Sequence, residues 1–285
     1  MTSGSINRPT ALITGASVGI GYELAKVFAK NGHNLVLSAR NQEQLEKVAA
    51  ECRSLGGVEA GVLPKDLAAP SAPQEIFDAL KASGTVIDVL VNNAGFGTHG
   101  DFAGIDLATD LNLLQVNIVA LTALTKLFLR EMLSRRSGKI LNVASVASFQ
   151  PGPLMATYYA SKAYVLHFSE AVATEVAGRG VTVTALCPGP TESEFGKRAG
   201  IQGERPFRVR SMPAGPVAQA GYDGLMRGKR IVIPGLANKV LARMNRLFPR
   251  RLIAWGTMQV NRTSKVPPVP SPAERDGAPA SEDRR

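Results

Sequence analysis

Tyr158 and Lys162 stand four residues apart in a stretch of helical pattern, so on a helix they share one face about a turn apart. A phenol, with an unperturbed pKa of about 10, is a poor base at neutral pH. A neighbouring ammonium favours the phenolate and brings that value toward the working range. Taken alone, the pair is better read as an amphipathic helix with a core tyrosine and a surface lysine. Ser145 shifts the balance. It follows the apolar run Ile140 to Val143, at the carboxyl end of a strand, where parallel sheets form their ligand crevice. Its hydroxyl can hold a substrate oxygen beside Tyr158. Asn92-Asn93-Ala94-Gly95 closes another strand at the same edge, and Asn117 sits inside a long helical pattern, where asparagine has little propensity. These residue types suit proton transfer at a carbonyl or alcohol.

A second group of residues suits a phosphate. Thr14-Gly15-Ala16-Ser17-Val18-Gly19-Ile20-Gly21 follows the first strand and opens a helix. Gly15 permits the tight turn, Gly19 lets backbone approach a pyrophosphate, and Gly21 allows the helix to pack on the sheet. The spacing G-x-x-x-G-x-G differs from the commoner dinucleotide fingerprint. After the second strand, where an acidic side chain would select NAD, the chain has Ala39 and Arg40. A guanidinium there can hold the 2′-phosphate of NADP, so NADP(H) is favoured and NAD(H) stays open.

The elements that must position these groups alternate. Strand patterns cover 11–14, 34–38, 58–63, 87–92, 139–143, 181–186 and 230–233. Helical patterns cover 22–30, 42–54, 73–81, 109–133 and 158–177. Strands separated by helices predict a three-layer α/β fold with a doubly wound, Rossmann-type parallel sheet.

With these residues in place, the sequence resembles the short-chain dehydrogenase/reductase family over residues 9–235. The resemblance rests on the Thr14–Gly21 turn, Asn92 to Gly95, Asn117, Ser145, Tyr158-Tyr159-Ala160-Ser161-Lys162 and Cys187-Pro188-Gly189. Ser145 precedes Tyr158 by thirteen residues, as in that family. The resemblance implies that Tyr158 is the general acid in reduction and the base in oxidation. Lys162 would lower its pKa and bind ribose, Ser145 would polarise the carbonyl, and Asn117 would hold a relay water. Cofactor contacts would come from Gly15, Ser17, Gly19, Ile20, Gly21, Arg40, Asp66, Leu67, Asn93, Ala94 and Gly95. Further contacts would come from Tyr158, Lys162, Pro188, Gly189, Thr191 and Ser193. Residues 190–213 match the family's substrate loop, and Phe96, Gln150, Leu154 and Phe195 are positional candidates for the substrate pocket. Tyr159 rivals Tyr158, but only Tyr158 has the family spacing to both Lys162 and Ser145. Val18 departs from the basic residue common in NADP-preferring members, which leaves that preference on Arg40.

The remainder bounds the reading. Residues 1–8 form a polar N-terminal tail without a signal-peptide pattern, and no run reaches the length of an apolar membrane span. Cys52 and Cys187 have neither disulfide nor zinc spacing, and His33, His99 and His167 share no metal or base spacing, so no metal site is expected. His167 is expected in the core or at an interface. The net charge is +10, of which residues 234–285 carry +6. A basic tail lacking aromatic interleaving argues against nucleic acid. Lys239, Arg243, Arg246 and Arg250 predict one basic helical stripe, opposite Val240, Leu241, Met244, Leu247 and Phe248. This extension, 236–262, could pack on its own domain, on a partner subunit or, through 236–256, on a membrane surface. Residues 263–285 read as a disordered tail. Arg198, Arg205, Arg208 and Arg210 could meet an anionic substrate or simply be solvated.

The expected protein is a cytoplasmic homo-oligomer, dimer or tetramer, that reduces a hydrophobic or 3-oxoacyl-type ketone with NADP(H). The alternatives are an alcohol dehydrogenase running oxidatively and a non-catalytic NADP(H)-sensing protein.

Overall fold

The computed structural model describes residues 8–192, 211–245 and 247–262. The expected tails (1–8 but for Arg8, and 263–285), Ser193, Phe195, the four loop arginines and Arg246 lie outside them.

The strands are β1 (Thr10–Thr14), β2 (Asn34–Ser38), β3 (Ala60–Val62), β4 (Val89–Asn92), β5 (Gly138–Val143), β6 (Val181–Leu186) and β7 (Ile231–Val232). The helices of the front half are α1 (Gly19–Lys30), α2 (Gln42–Gly56), α3 (Ala72–Ala82), α4 (Leu107–Leu114) and α5 (Leu121–Ser134). Those of the back half are α6 (Ala156–Glu175), α7 (Ala214–Met226), α8 (Leu236–Met244) and α9 (Arg250–Asn261). The seven strands form one parallel sheet in the order β3-β2-β1-β4-β5-β6-β7. The chain reverses direction across the sheet between β1 and β4, and that reversal opens a crevice beyond their carboxyl ends.

Side chains of a strand alternate between faces, and the core divides accordingly. Ala11, Ile13, Leu35, Leu37, Val89 and Val91 pack with α1, α2 and α7 on one face. Leu12, Leu90, Ile140, Val181 and Val183 pack with α3, α5 and the end of α6 on the other. Apolar side chains on both faces are why these strands read as continuous hydrophobic runs.

Three differences from the sequence reading have physical causes. First, α1 begins at Gly19 rather than 22. Glycine disfavours a helix interior, but a Cβ on Gly21 would sit 2.2 Å from the Gly15 carbonyl oxygen, so close packing requires glycine there. Second, the expected helix 109–133 is three segments, α4 and α5 joined by a π-helical stretch at Gln115–Ala120 that contains Asn117. Such bulges disturb the regular ladder and gather at functional sites. The whole run Leu107–Ser134 is long and apolar enough to cross a bilayer by length and composition, contrary to the sequence expectation. Its Leu124, Phe128 and Met132 are core residues packed on the sheet. Third, the single basic helix expected after 236 is two. Pro249 lacks the N–H and φ freedom to sit inside a helix, and it opens α9 instead.

A buried polar network ties the sheet to its helices. Asn92 Nδ2 donates to Asn142 Oδ1 (2.9 Å) and to Thr125 Oγ1 (3.0 Å), and Asn142 Nδ2 donates to Ser169 Oγ (2.9 Å). It joins β4 and β5 to α5 and α6. Asn142→Ala orphans partners on both sides. It should lower unfolding stability by about 2–4 kcal/mol in urea titration, and a loss under about 0.5 kcal/mol would contradict the network's role.

Candidate active site

A cleft of about 810 Å³ runs beyond the carboxyl ends of the strands. Each wall begins where a strand stops. Gly15, Ser17, Gly19 and Ile20 follow β1, Arg40 follows β2, Lys65, Asp66 and Leu67 follow β3, and Asn93 to Phe96 follow β4. Ser145 follows β5, and Pro188, Gly189 and Thr191 follow β6. Tyr158 and Lys162 enter from α6.

The glycine turn is held from below by β4. Asn93 Nδ2 donates to the carbonyls of Thr14 (2.9 Å) and Gly15 (3.1 Å), while Thr14 Oγ1 accepts from the amides of Asn93 and Ala94 (both 3.1 Å). Gly15 and Gly19 have φ of 64° and 60°, the left-handed region that favours glycine. Val18, at the head of α1, offers no side-chain cap, so the first amides of that helix face the cleft without an internal partner side chain. Gly21 does not line the cleft. It packs against Gly15 beneath the turn.

Lys162 is buried, and its Nζ donates to the Val143 carbonyl at 2.8 Å. Burial pulls its pKa down to about 8, against a smaller upward pull from Cys187. Burial of the Tyr158 hydroxyl pushes its pKa up to about 12, and a hydrogen bond with Ser145 pulls the other way. Lys162 is not among the groups that lower it. Lys162 Nζ lies 6.0 Å from the Tyr158 ring centre and is committed to β5. Tyr158 is a proton donor at neutral pH.

Ser145 Oγ accepts from the Ala147 amide (3.1 Å), which fixes the turn Val146–Phe149. Ser148 Oγ, in the same turn, donates to the Lys162 carbonyl at 2.7 Å and draws α6 onto the end of β5. Asn117 is fully buried behind the wall. Its Oδ1 accepts from the Phe96 amide (3.1 Å), and its Nδ2 donates to the Phe96 carbonyl (3.0 Å) and Ser161 Oγ (3.0 Å). The side chain is occupied with fixing the loop after β4 to α6. A Cβ at Gly95 would lie 2.9 Å from Asn117 Oδ1 and 3.3 Å from Lys162 Nζ, so glycine keeps this corner open.

Tyr159, the rival tyrosine, also lines the cleft. Its hydroxyl donates to Asn261 Oδ1 at 3.3 Å. Asn261 lines the cleft although it ends α9, more than a hundred residues later. Its Nδ2 donates to the Pro153 carbonyl (3.0 Å), and its own carbonyl lies 2.7 Å from His99 Nε2. No motif announces this residue. Lys65 also lines the cleft, 2.5 Å from Glu75, and its position one residue before Asp66 was the available signal. Asp66 Oδ1 accepts from the Ala68 amide at 3.0 Å.

The pocket candidates divide. Phe96 lines the cleft. Gln150 and Leu154 do not: Asn245 Nδ2 donates to Gln150 Oε1 at 2.7 Å, and Leu154 sits in a turn at φ 66°, which presents Met155 to the cleft instead. The base of the expected substrate loop is clamped by paired Thr191 and Met212, with Met212 N donating to the Pro190 carbonyl at 2.9 Å. His167 is exposed rather than in the core, and no cluster of potential metal ligands occurs among the described residues.

The walls fit a dinucleotide: open amides and glycines for a pyrophosphate, and the acid–base group at the far end. The family model of the short chain dehydrogenases matches residues 9–202. The chain is 36% identical over 185 residues to a very-long-chain 3-oxoacyl-CoA reductase of Anas platyrhynchos, covering 62% of this chain and 58% of that protein. It is 34% identical over 180 residues to ketoacyl reductase HetN of a Nostoc species, covering 63% of this chain and 62% of that one. It thus spans about three-fifths of the length of the curated relatives it matches. A short-chain dehydrogenase from Sphingobium yanoikuyae, solved with NADPH, superposes with a TM-score of 0.76 at 35% identity, covering 84% of this chain and 92% of that one.

The buried lysine has a stability signature. Its amine holds a proton up to about pH 8 in the folded chain, but up to about pH 10.5 when unfolded. The penalty of burying its charge is complete below pH 8 and is relieved as pH rises between those values. Relative to Lys162→Met, the ligand-free wild type should gain about 2 kcal/mol of unfolding stability from pH 7 to pH 10. A difference that stays flat across that range would refute the buried charge.

Proposed function

The chain belongs to the short-chain dehydrogenase family, and we propose that it is an NADP(H)-dependent ketoreductase acting on a hydrophobic or 3-oxoacyl-type ketone. One observation carries this reading: Ser145, Tyr158 and Lys162 meet on the wall of a cleft whose other end is the open glycine turn.

When bound, the reduced nicotinamide supplies the hydride for the carbonyl carbon. Tyr158 gives its proton to the carbonyl oxygen, and the Ser145 hydroxyl donates to that oxygen and holds it in line. Lys162, charged below about pH 8, stabilises the phenolate left behind and offers its remaining N–H bonds to ribose hydroxyls. Asn117 acts as a positioning residue through Phe96 and Ser161, and any water it holds would be bound by its main chain. The phenol, its pKa pushed up to about 12, holds the proton that reduction requires. A sensor that merely binds cofactor has no need of the whole set.

Two cations support the phosphate preference. Arg40 is exposed at the cleft edge and makes no ion pair among the described residues, and Lys65 lines the same end. Phe96, Val116 and Met155 give the substrate end an apolar lining. The exposed Leu107, Leu111 and Val119 support association with a second copy.

Tyr158→Phe should cut ketone-dependent NADPH oxidation about a thousandfold while NADPH affinity stays within about threefold. Unchanged turnover would overturn the assignment. Arg40→Asp should weaken NADPH binding about 10- to 100-fold and leave NADH binding intact, measured by cofactor fluorescence titration. Equal losses for both cofactors would show that Arg40 does not read the phosphate.

A further inference from the structure

The residues that α8 and α9 turn toward the domain are small or polar. Ala242 is buried, Asn238 lies against Gly189 with its Nδ2 donating to the Pro234 carbonyl (2.8 Å), and Asn245 holds Gln150. On α9 the buried residues are Thr257 and Asn261. The apolar side chains point the other way. Leu236 is 78% exposed, Leu247 79% and Trp255 64%, and Val240, Leu241, Met244, Phe248 and Leu252 are exposed as well. Helices of a globular protein ordinarily do the reverse. Apolar surface presented outward on this scale marks a binding surface.

Charge indicates what binds. Lys239 and Arg243 lie one turn apart beside the apolar face of α8, and Arg250 and Arg251 open α9. From Asp223 to Glu274 the sequence has no carboxylate side chain between them, and ten lysines and arginines. A second copy meeting this surface face to face would set cations against cations. An anionic bilayer offers phosphates for the basic rim and acyl chains for the leucines, with Trp255 and Phe248 suited to the interface between.

We propose that α8 and α9 form a docking surface for an anionic lipid bilayer. Leu236, Val240, Leu241, Leu247, Leu252 and Trp255 enter the headgroup–acyl boundary, while Lys239, Arg243, Arg250 and Arg251 meet lipid phosphates. Because Asn238 and Asn261 join these helices to the cleft wall, docking sets the cleft rim at the lipid. That placement suits the hydrophobic substrate of the reading above, although docking itself does not depend on it.

Trp255 is the chain's single tryptophan, so its emission reports on this surface alone. The full chain is titrated with vesicles of phosphatidylcholine containing about one-third phosphatidylglycerol, and with pure phosphatidylcholine, following co-sedimentation and Trp255 emission. The expected result is co-sedimentation with a blue shift on the anionic vesicles, weakened by added salt. Binding should fall about a hundredfold for the double variant Lys239→Glu/Arg243→Glu, and comparably for Leu241→Asp. NADPH titration of each variant verifies the fold and reports separately on the cofactor reading. Absence of binding to anionic vesicles would overturn the proposal. So would binding that survives both variants, or a Trp255 shift that follows protein concentration without lipid, the sign of self-association.

Discussion

An amine buried beneath a parallel sheet's edge, held by one strand carbonyl, sets the position of everything near it. Lys162 reaches Val143 from α6, and Ser148 reaches back from the end of β5 to the Lys162 backbone. The two contacts fasten helix to strand at the level where Ser145 and Tyr158 must meet. Deeper in the same seam, Asn142 and Ser169 repeat the fastening with neutral groups. The seam is polar where an apolar one would be more stable, and the cost shows in the depressed pKa of Lys162. What it provides is a unique register between the two elements that carry the acid–base groups.

The other end of the cleft is governed by backbone rather than side chains. The glycine turn has its shape because hydrogen bonds of Thr14 and Gly15 with Asn93 and Ala94 tie it to the end of β4, and because any Cβ at Gly21 would strike it. The C-terminal helices then close the rim with asparagines instead of leucines. Asn261 links Tyr159, Pro153 and His99, so a segment remote in sequence forms part of the wall. Those polar inward contacts are the reason the apolar residues of α8 and α9 face outward.

Much of this was legible in the sequence for a simple reason. Strand runs are apolar because both faces of the sheet are covered, and the residues at their carboxyl ends must line a crevice. Gly15, Asn93 and Ser145 lie at those strand ends, and Tyr158 and Lys162 reach the same cleft from α6. The π-helical stretch at Asn117 was not legible, since apolar α-helix continues on both sides of it. Asn261 was hidden because its partners are tertiary. At Leu154 a positive φ turns the chain, and its neighbour Met155 lines the cleft. The pKa of Tyr158 depends on depth, which spacing alone does not report: a lysine one turn away suggests a lowered value, whereas burial raises it.

The central claim is that this cleft moves a hydride from nicotinamide to a carbonyl carbon while Tyr158 delivers the proton. It is tested most directly by tracing the hydride itself. The wild-type protein is incubated with NADPH deuterated at C4 and a panel of hydrophobic ketones and 3-oxoacyl thioesters, and the products are analysed by mass spectrometry. The prediction is an alcohol bearing one deuterium on the carbinol carbon, formed with a single facial preference. NADPH bound tightly, with no deuterium reaching any product across the panel, would contradict the account.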